Sequence, residues 1–418
     1  MAKLLRLALM LGLAANAMSA PSALPSFKKR QLTDKFWSEG AAFGDFNHDG
    51  VVDLVYGPFW YEGPDFSQVH AYAPADATFV LKRPDGTAQT IPGFPGALTP
   101  HNGYSNNFYT FVHDFNGDGW DDILVIDFPG KGATWYENPR GGKGHWMPHL
   151  AAENVENESP VLADLKGTGR PVLLCCSGGY IGYYEADWKN PAARWTFHPI
   201  TPKGNYQRFT HGLGFGDING DGRADVIEND GWWEQPASLA GDPVWKKHPY
   251  SFAVKGAQIL VYDVNGDGRN DVISCVNAHG YGISWHEQIR EDGVITFREH
   301  VILNPTPTPN AYGVSFTQPH SLALVDIDGD GVKDLVTGKR FWAHGHQGPD
   351  PESDNPAVLY WFKIQRSPDG RVEFVPHLID SDSGVGTQVV AGMITRRDAP
   401  DILVGNKKGL FLFRNERR

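Results

Sequence analysis

One nine-residue pattern returns along this chain, and a chain built of repeats has few ways to bury itself. It reads Asp45-Phe-Asn47-His-Asp49-Gly50-Val-Val-Asp53 at its first occurrence. The ligand-bearing positions recur as Asp114, Asn116, Asp118 and Asp122, then as Asp217, Asn219, Asp221 and Asp225. Two further copies place Asp263, Asn265, Asp267 and Asp271, and Asp326, Asp328, Asp330 and Asp334, at the same spacing. A degenerate copy runs from Asp164 with Lys166 and Thr168 at ligand positions, and a seventh survives as its tail, Asp401-Ile-Leu-Val-Gly405.

Each copy lies between two apolar segments, and an aromatic segment follows (FWYEG, TWYENP, GYYEA, GWWEQP, SWHEQ, LYWFK, LFLFRN). A last segment carries an aromatic residue three positions before a histidine, ending at His149, His198, His248, His300 and His377. Four short strands per unit and seven units predict an all-β, seven-bladed β-propeller of four-stranded antiparallel blades, with the repeated loops joining first and second strands. A lone blade leaves a sheet face uncovered; stacking covers it, and closing the ring removes the exposed ends. The five repeated histidines fall at one structural position, which predicts a packing role. Successive motif starts are 69, 50, 53, 46 and 63 residues apart. Excess length therefore sits in loops, chiefly between residues 61 and 107 and between 342 and 356.

The loop spacing has a physical reason. Oxygens at positions one, three, five and nine, with a backbone carbonyl at seven, can wrap a hard cation at about 2.3 to 2.6 Å, and the glycine allows the sharp turn. This predicts about five structural calcium ions, with the degenerate third loop left out. The formal net charge of −12 is concentrated in these loops. With no Lys/Arg-rich stripe, it argues against binding nucleic acid.

The N-terminus sets Lys3 and Arg6 before an apolar run and then small residues. This predicts a secretory signal peptide over 1–20, a linker or short propeptide over 21–35 with a dibasic site at Lys28-Lys29-Arg30, and the propeller over 36–418. The apolar run is too short to span a bilayer, so a secreted, extracellular protein is expected. Cys175, Cys176 and Cys275 lie in apolar strand patterns and are read as buried thiols.

If the repeated loops close one face of the ring, residues six positions earlier begin the innermost strands at the opposite face. These are Glu39, Phe108, Glu158, His211, Ala257 and His320. Two histidines and two glutamates converging there would make a zinc-type metal site, an acid/base cluster or the polar lining of a wet channel. Loops opening on that face add His344 and His346 in one insert and His101 and Tyr104 in another. Asp127, Asn229, Asp230, Lys339 and Arg340 end second strands there and could bind sugar hydroxyls or a carboxylate. No serine-hydrolase elbow, phosphate-binding loop or dinucleotide fingerprint is present.

From about Phe36 to Asn415 the repeats resemble the FG-GAP/VCBS family, which includes adhesion modules, lectins and enzymes and so implies fold and calcium but no single activity. FWSEGAAFGDFNHDG, YGPFWYEGPD and FTHGLGFGDINGDG also resemble the propeller portion of aldos-2-ulose dehydratases, whose accompanying cupin domains this sequence does not contain. That resemblance implies a lyase or dehydratase acting on a sugar or keto-sugar, with His211, His320, His344, His346 and Glu39 as metal ligands or acid/base groups. A non-catalytic carbohydrate-binding or adhesion propeller is the alternative, with Trp60, Tyr61 and Tyr104 as stacking platforms. A protein-binding surface protein is a third, and the glycosylation sequon at Asn157 would then compete with a channel role for Glu158.

Overall fold

The computed structural model describes residues 24–75, 79–82, 86–91, 94–95, 104–341, 343–345 and 348–417. Seven four-stranded antiparallel sheets, each in simple up-and-down order, form the seven blades. Their innermost strands are Ala42–Gly44, Tyr109–His113, Val161–Ala163, Leu213–Gly216, Ile259–Tyr262, Leu322–Val325 and Val389–Gly392. The second strands, such as Asp122–Ile126 and Asp401–Asn406, are buried along their whole length. They are covered on both faces by neighbouring blades, which is why they read as unbroken apolar runs and not as alternating ones.

The seventh blade closes the ring with a strand from the other end of the chain. Phe27–Thr33 pairs antiparallel with Gly409–Asn415, from Phe27 opposite Asn415 to Thr33 opposite Leu410. The segment expected as a linker or propeptide is thus largely an outer strand. Lys35–Phe36 also pairs with Phe94–Pro95. The Lys28-Lys29-Arg30 site lies inside the closing strand, with all three side chains exposed on a paired backbone.

The ninth residue of each loop has a structural task that spacing did not reveal. Both oxygens of Asp122 accept backbone N–H groups, from Phe115 at 2.9 Å and Asn138 at 2.8 Å. Asp53, Asp225, Asp271 and Asp334 repeat this bond pair, tying the loop to the end of the third strand. Asp401 does the same in the seventh blade, where the rest of the motif is lost. The residue whose N–H is bound in this way at the third strand then reaches back one blade with its side chain. Asn138, Gln235, Gln288 and Asn415 donate to the carbonyls of Phe46, Leu165, Ile218 and Ile327. Buried amides satisfied in this way fix the rotation of each blade against the one before it.

The repeated histidines pack as expected. His149, His248, His300 and His377 lie flat on Trp135, Trp232, Trp285 and Trp361 at 4.0–4.5 Å, and His198 lies on Tyr183 at 5.0 Å. A sixth pair, His70 on Trp60, extends the series to the first blade. The three cysteines are buried free thiols. No described helix is long and apolar enough to cross a membrane.

Candidate metal centre

The starts of the innermost strands and the turns between second and third strands meet around the propeller axis, as the loop positions required. There, one ligand atom each from Glu158, His211, His279 and His320 lies within 4.8 Å of every other. His211 Nε2 is 3.2 Å from His279 Nε2 and 3.5 Å from Glu158 Oε2, and His320 Nε2 is 3.4 Å from the same carboxylate oxygen.

Each imidazole is held for this arrangement. His211 Nδ1 is 2.7 Å from the carbonyl of Phe209. Only a protonated nitrogen makes that contact, so Nδ1 carries the hydrogen and Nε2 presents its lone pair to the centre. Asn229, at the end of a second strand, donates to the His211 carbonyl at 2.9 Å and fixes its backbone. His320 is fully buried, and neither ring nitrogen makes a hydrogen bond. His279 turns Nδ1 towards Asp350, 3.7 Å away. Burial drives His320 down to about 3, with the Arg340 charge acting the same way. Burial and the neighbouring His320 do the same for His279. Burial would raise Glu158, but the neighbouring His211 and His320 and the charge of Arg340 hold it well below the usual carboxylate range. Neutral imidazoles and an ionised carboxylate are the protonation states that a metal ion requires of its ligands. An N₃O donor set of this kind suits zinc or another divalent transition ion.

Around this group lies a second set of charges. Arg340 is 1% exposed; its Nη1 donates to Glu158 Oε2 at 3.2 Å, and its Nη2 is 3.8 Å from Glu39 Oε2. Glu39 is fully buried, and neither carboxylate oxygen makes a hydrogen bond. Burial raises its pKa against the lowering charges of Lys407 and Arg340. Lys407, also buried, is lowered to about 8. Its Nζ stands over the Tyr104 ring, 4.4 Å from the centroid. His344 Nδ1 lies 2.9 and 3.0 Å from the two oxygens of Asp350, whose side chain is almost wholly buried. The pairing fixes the His344 proton on Nδ1 and leaves Nε2 as a base.

Glu158, His211, His279, Arg340 and His344 line a cavity of about 800 Å³ whose walls also include Tyr104, Phe128, Lys131, Arg208 and Phe209. Of the expected site residues, His211, His320, Glu39, His344 and Tyr104 come together here, while His101 and His346 lie outside the described residues. Glu39 stands behind Arg340 and is not one of the four converging ligands. His279 and Asp350 were missed. His279 follows the second strand of the fifth blade, the same topological place as Arg340 and Lys407, so the strand-end rule that singled out Arg340 would have found it. Trp60 and Tyr61 are buried in the first blade and are not stacking platforms. Asn157 is 2% exposed and accepts a hydrogen bond from the Cys176 backbone, so the sequon is closed in the folded chain.

On the opposite face, the first aspartate of each loop accepts two N–H groups of its own loop, as Asp45 does from Asp49 and Gly50. In the sixth loop Asp326, Asp328 and Asp334 converge within 4.8 Å. However, the ammonium of Lys363 already pairs there with Asp328 and Asp330. In the first, second, fourth and fifth blades the residue at the place of Lys363 is Glu62, Glu137, Glu234 and Glu287. Cations also stand against other loops: Arg140 pairs with Asp118 at 2.7 Å, and Arg223 and Arg269 pair with Asp221 and Asp267.

Residues 114–175 and 263–337 match the family described as FG-GAP-like repeat, so the chain is a seven-bladed propeller carrying FG-GAP-like repeats. No curated protein matches its sequence. Among solved structures, it is similar to an auxiliary nutrient binding protein from Bacteroides ovatus (TM-score 0.45, 11% identity, 88% of this chain and 84% of that one). It is also similar to rhamnogalacturonan lyase YesW (TM-score 0.41, 13% identity, 94% and 74%). A third is the V. cholerae biofilm matrix protein Bap1 (TM-score 0.35, 12% identity, 95% and 81%).

Proposed function

For a propeller of FG-GAP-like repeats with four ligating side chains converging at its axis, we propose a metal-dependent lyase or dehydratase that acts on a sugar or keto-sugar. In this reading residues 1–20 are a secretory signal peptide, the protein is extracellular, and calcium braces the five loops that carry the full repeated pattern. The observation that carries the proposal is the convergence of Glu158, His211, His279 and His320 at the floor of a cavity large enough for a sugar. A divalent transition ion held there supplies Lewis-acid polarisation of a substrate oxygen.

The remaining roles belong to the chain's own groups. His344, oriented by Asp350, takes the proton from the carbon next to the substrate carbonyl. The C–O bond one carbon further breaks, and the imidazolium returns its proton to the departing hydroxyl, giving an unsaturated sugar and water. Arg340 keeps Glu158 ionised as a ligand. Tyr104 and Phe128, with ring centroids 5.0 Å apart, form an apolar wall for one sugar face.

The test is elemental analysis of protein purified without chelator, beside a His211→Ala/His320→Ala variant, followed by a screen of keto-sugars for the ultraviolet absorbance of a conjugated product. One transition-metal ion lost in the variant, with product formed by the wild type alone, is the expected result. Absence of any transition metal from both proteins would overturn the metal centre. Metal without turnover, but with sugar binding, would leave the non-catalytic binding propeller.

A further inference from the structure

Cations outnumber carboxylates in the wall of the cavity above the metal centre. Its wall residues include the cations Lys131, Arg208 and Arg340, and the only carboxylate among the described ones is Glu158, which faces Arg340 at the floor. This is unusual for a chain of formal net charge −12, whose overall field repels anions. Arg208 is the most prepared of the three cations. Its guanidinium carbon stands 5.2 Å from the Phe128 centroid and 4.6 Å from that of Phe209, and its Nε donates to the Pro129 carbonyl at 2.7 Å. Two rings and one hydrogen bond thus fix the plane of the guanidinium, an arrangement suited to bidentate pairing with a carboxylate.

The segment carrying Arg208 is also strained. Phe209 has φ of +67°, a region costly for a bulky side chain, and its ring is 43% exposed at the cavity mouth. The same residue offers the carbonyl that fixes the His211 tautomer. One short stretch, Arg208 to His211, therefore sets both a cation at the rim and a metal-ligating nitrogen at the floor. A strained backbone that places both groups is accounted for by a ligand that touches both.

Resting on the proposed metal site, we infer that the substrate is an acidic sugar, a hexuronate unit or its keto form, whose carboxylate is paired by Arg208 with Lys131 beside it while the ring lies against Phe128 and Tyr104. A neutral sugar would offer these cations no opposite charge. Lys131 Nζ donates to Asn106 Oδ1 at 2.8 Å, which keeps the ammonium at the rim.

Calorimetric titration of full-length, metal-loaded protein with galacturonate, glucuronate and mannuronate, each beside its neutral hexose, tests this. At least one uronate should bind about 10-fold or more tighter than its hexose, the range expected of a charge-assisted hydrogen-bonded pair. Added salt should narrow the difference. Arg208→Gln should abolish it with the transition-metal content unchanged, and Lys131→Gln should reduce it. Equal or tighter binding of the neutral sugars, binding of none of the uronates, or an undiminished preference in both variants would each overturn the acidic-sugar assignment. Metal content reports separately on the centre below: no uronate preference in wild-type protein that retains its metal rejects only the substrate class, whereas wild-type protein free of transition metal rejects the underlying site.

Discussion

Replacing Arg340 with methionine keeps its bulk and removes its charge, and the consequence can be worked out from its surroundings. Arg340 is the buried cation between Glu158 at 3.2 Å and Glu39 at 3.8 Å. Removing one partner of a buried ion pair costs about 3–5 kcal/mol, mostly from the charge left behind. For 418 residues, an unfolding entropy of about 2.1 cal/mol/K per residue turns that into a fall in melting temperature of about 3–6 °C. The loss should depend on pH in a defined direction. Glu39 has a folded-state pKa already raised by burial, and Arg340 is one of the charges holding it down. Without Arg340 that pKa rises further, so a protonated Glu39 is tolerated below the unfolded carboxylate pKa and stability falls as pH climbs through the folded value. The deficit of Arg340→Met should therefore shrink as pH drops from 7 to 5, and Glu39→Gln in the same chain should recover part of it at pH 7. Calorimetric melts of the four proteins of this double-mutant cycle supply the measurement. A deficit within about 0.5 kcal/mol, as for an ordinary surface change, or no recovery by Glu39→Gln, would refute the account.

Three further outcomes are expected. Native mass spectrometry should count about five calcium ions in the wild type and one fewer in Asp45→Ala, which removes the first ligand of the first loop; an unchanged count would reject that loop as a site. Deleting residues 1–33 should lower the melting temperature and promote self-association, because the backbone edge of Gly409–Asn415 loses its partner strand; an unaltered melt would show that the strand is dispensable. All three cysteines should stay unreactive to Ellman's reagent in the native state and titrate fully in urea: burial pushes Cys275 to about 12 and Cys175 and Cys176 higher still, and rapid native labelling would contradict it.

The repeat made the fold legible because each blade carries its own local signals: the Asx-Gly loop, the unbroken apolar second strand and the aromatic third strand. Those are short-range properties, and counting six residues back from each loop was enough to bring Glu39, Glu158, His211 and His320 to the axis. What the sequence could not separate was their roles, since four polar residues around an axis serve as ligands, as counter-ions or as channel lining. Tertiary structure decided that Glu158, His211 and His320 converge with His279 while Glu39 stands behind Arg340, because side-chain reach across blades depends on how far each blade is rotated. The same holds for the closing strand. Phe27–Thr33 has no motif of its own and becomes a strand only because Gly409–Asn415, nearly 400 residues later, presents an unpaired edge. Likewise, the loop of the sixth blade matches the repeated pattern in full, and only tertiary structure brings Lys363 of the third strand against Asp328 and Asp330. Spacing along a chain records what a loop can wrap; what stands against it depends on neighbours that sequence distance does not measure.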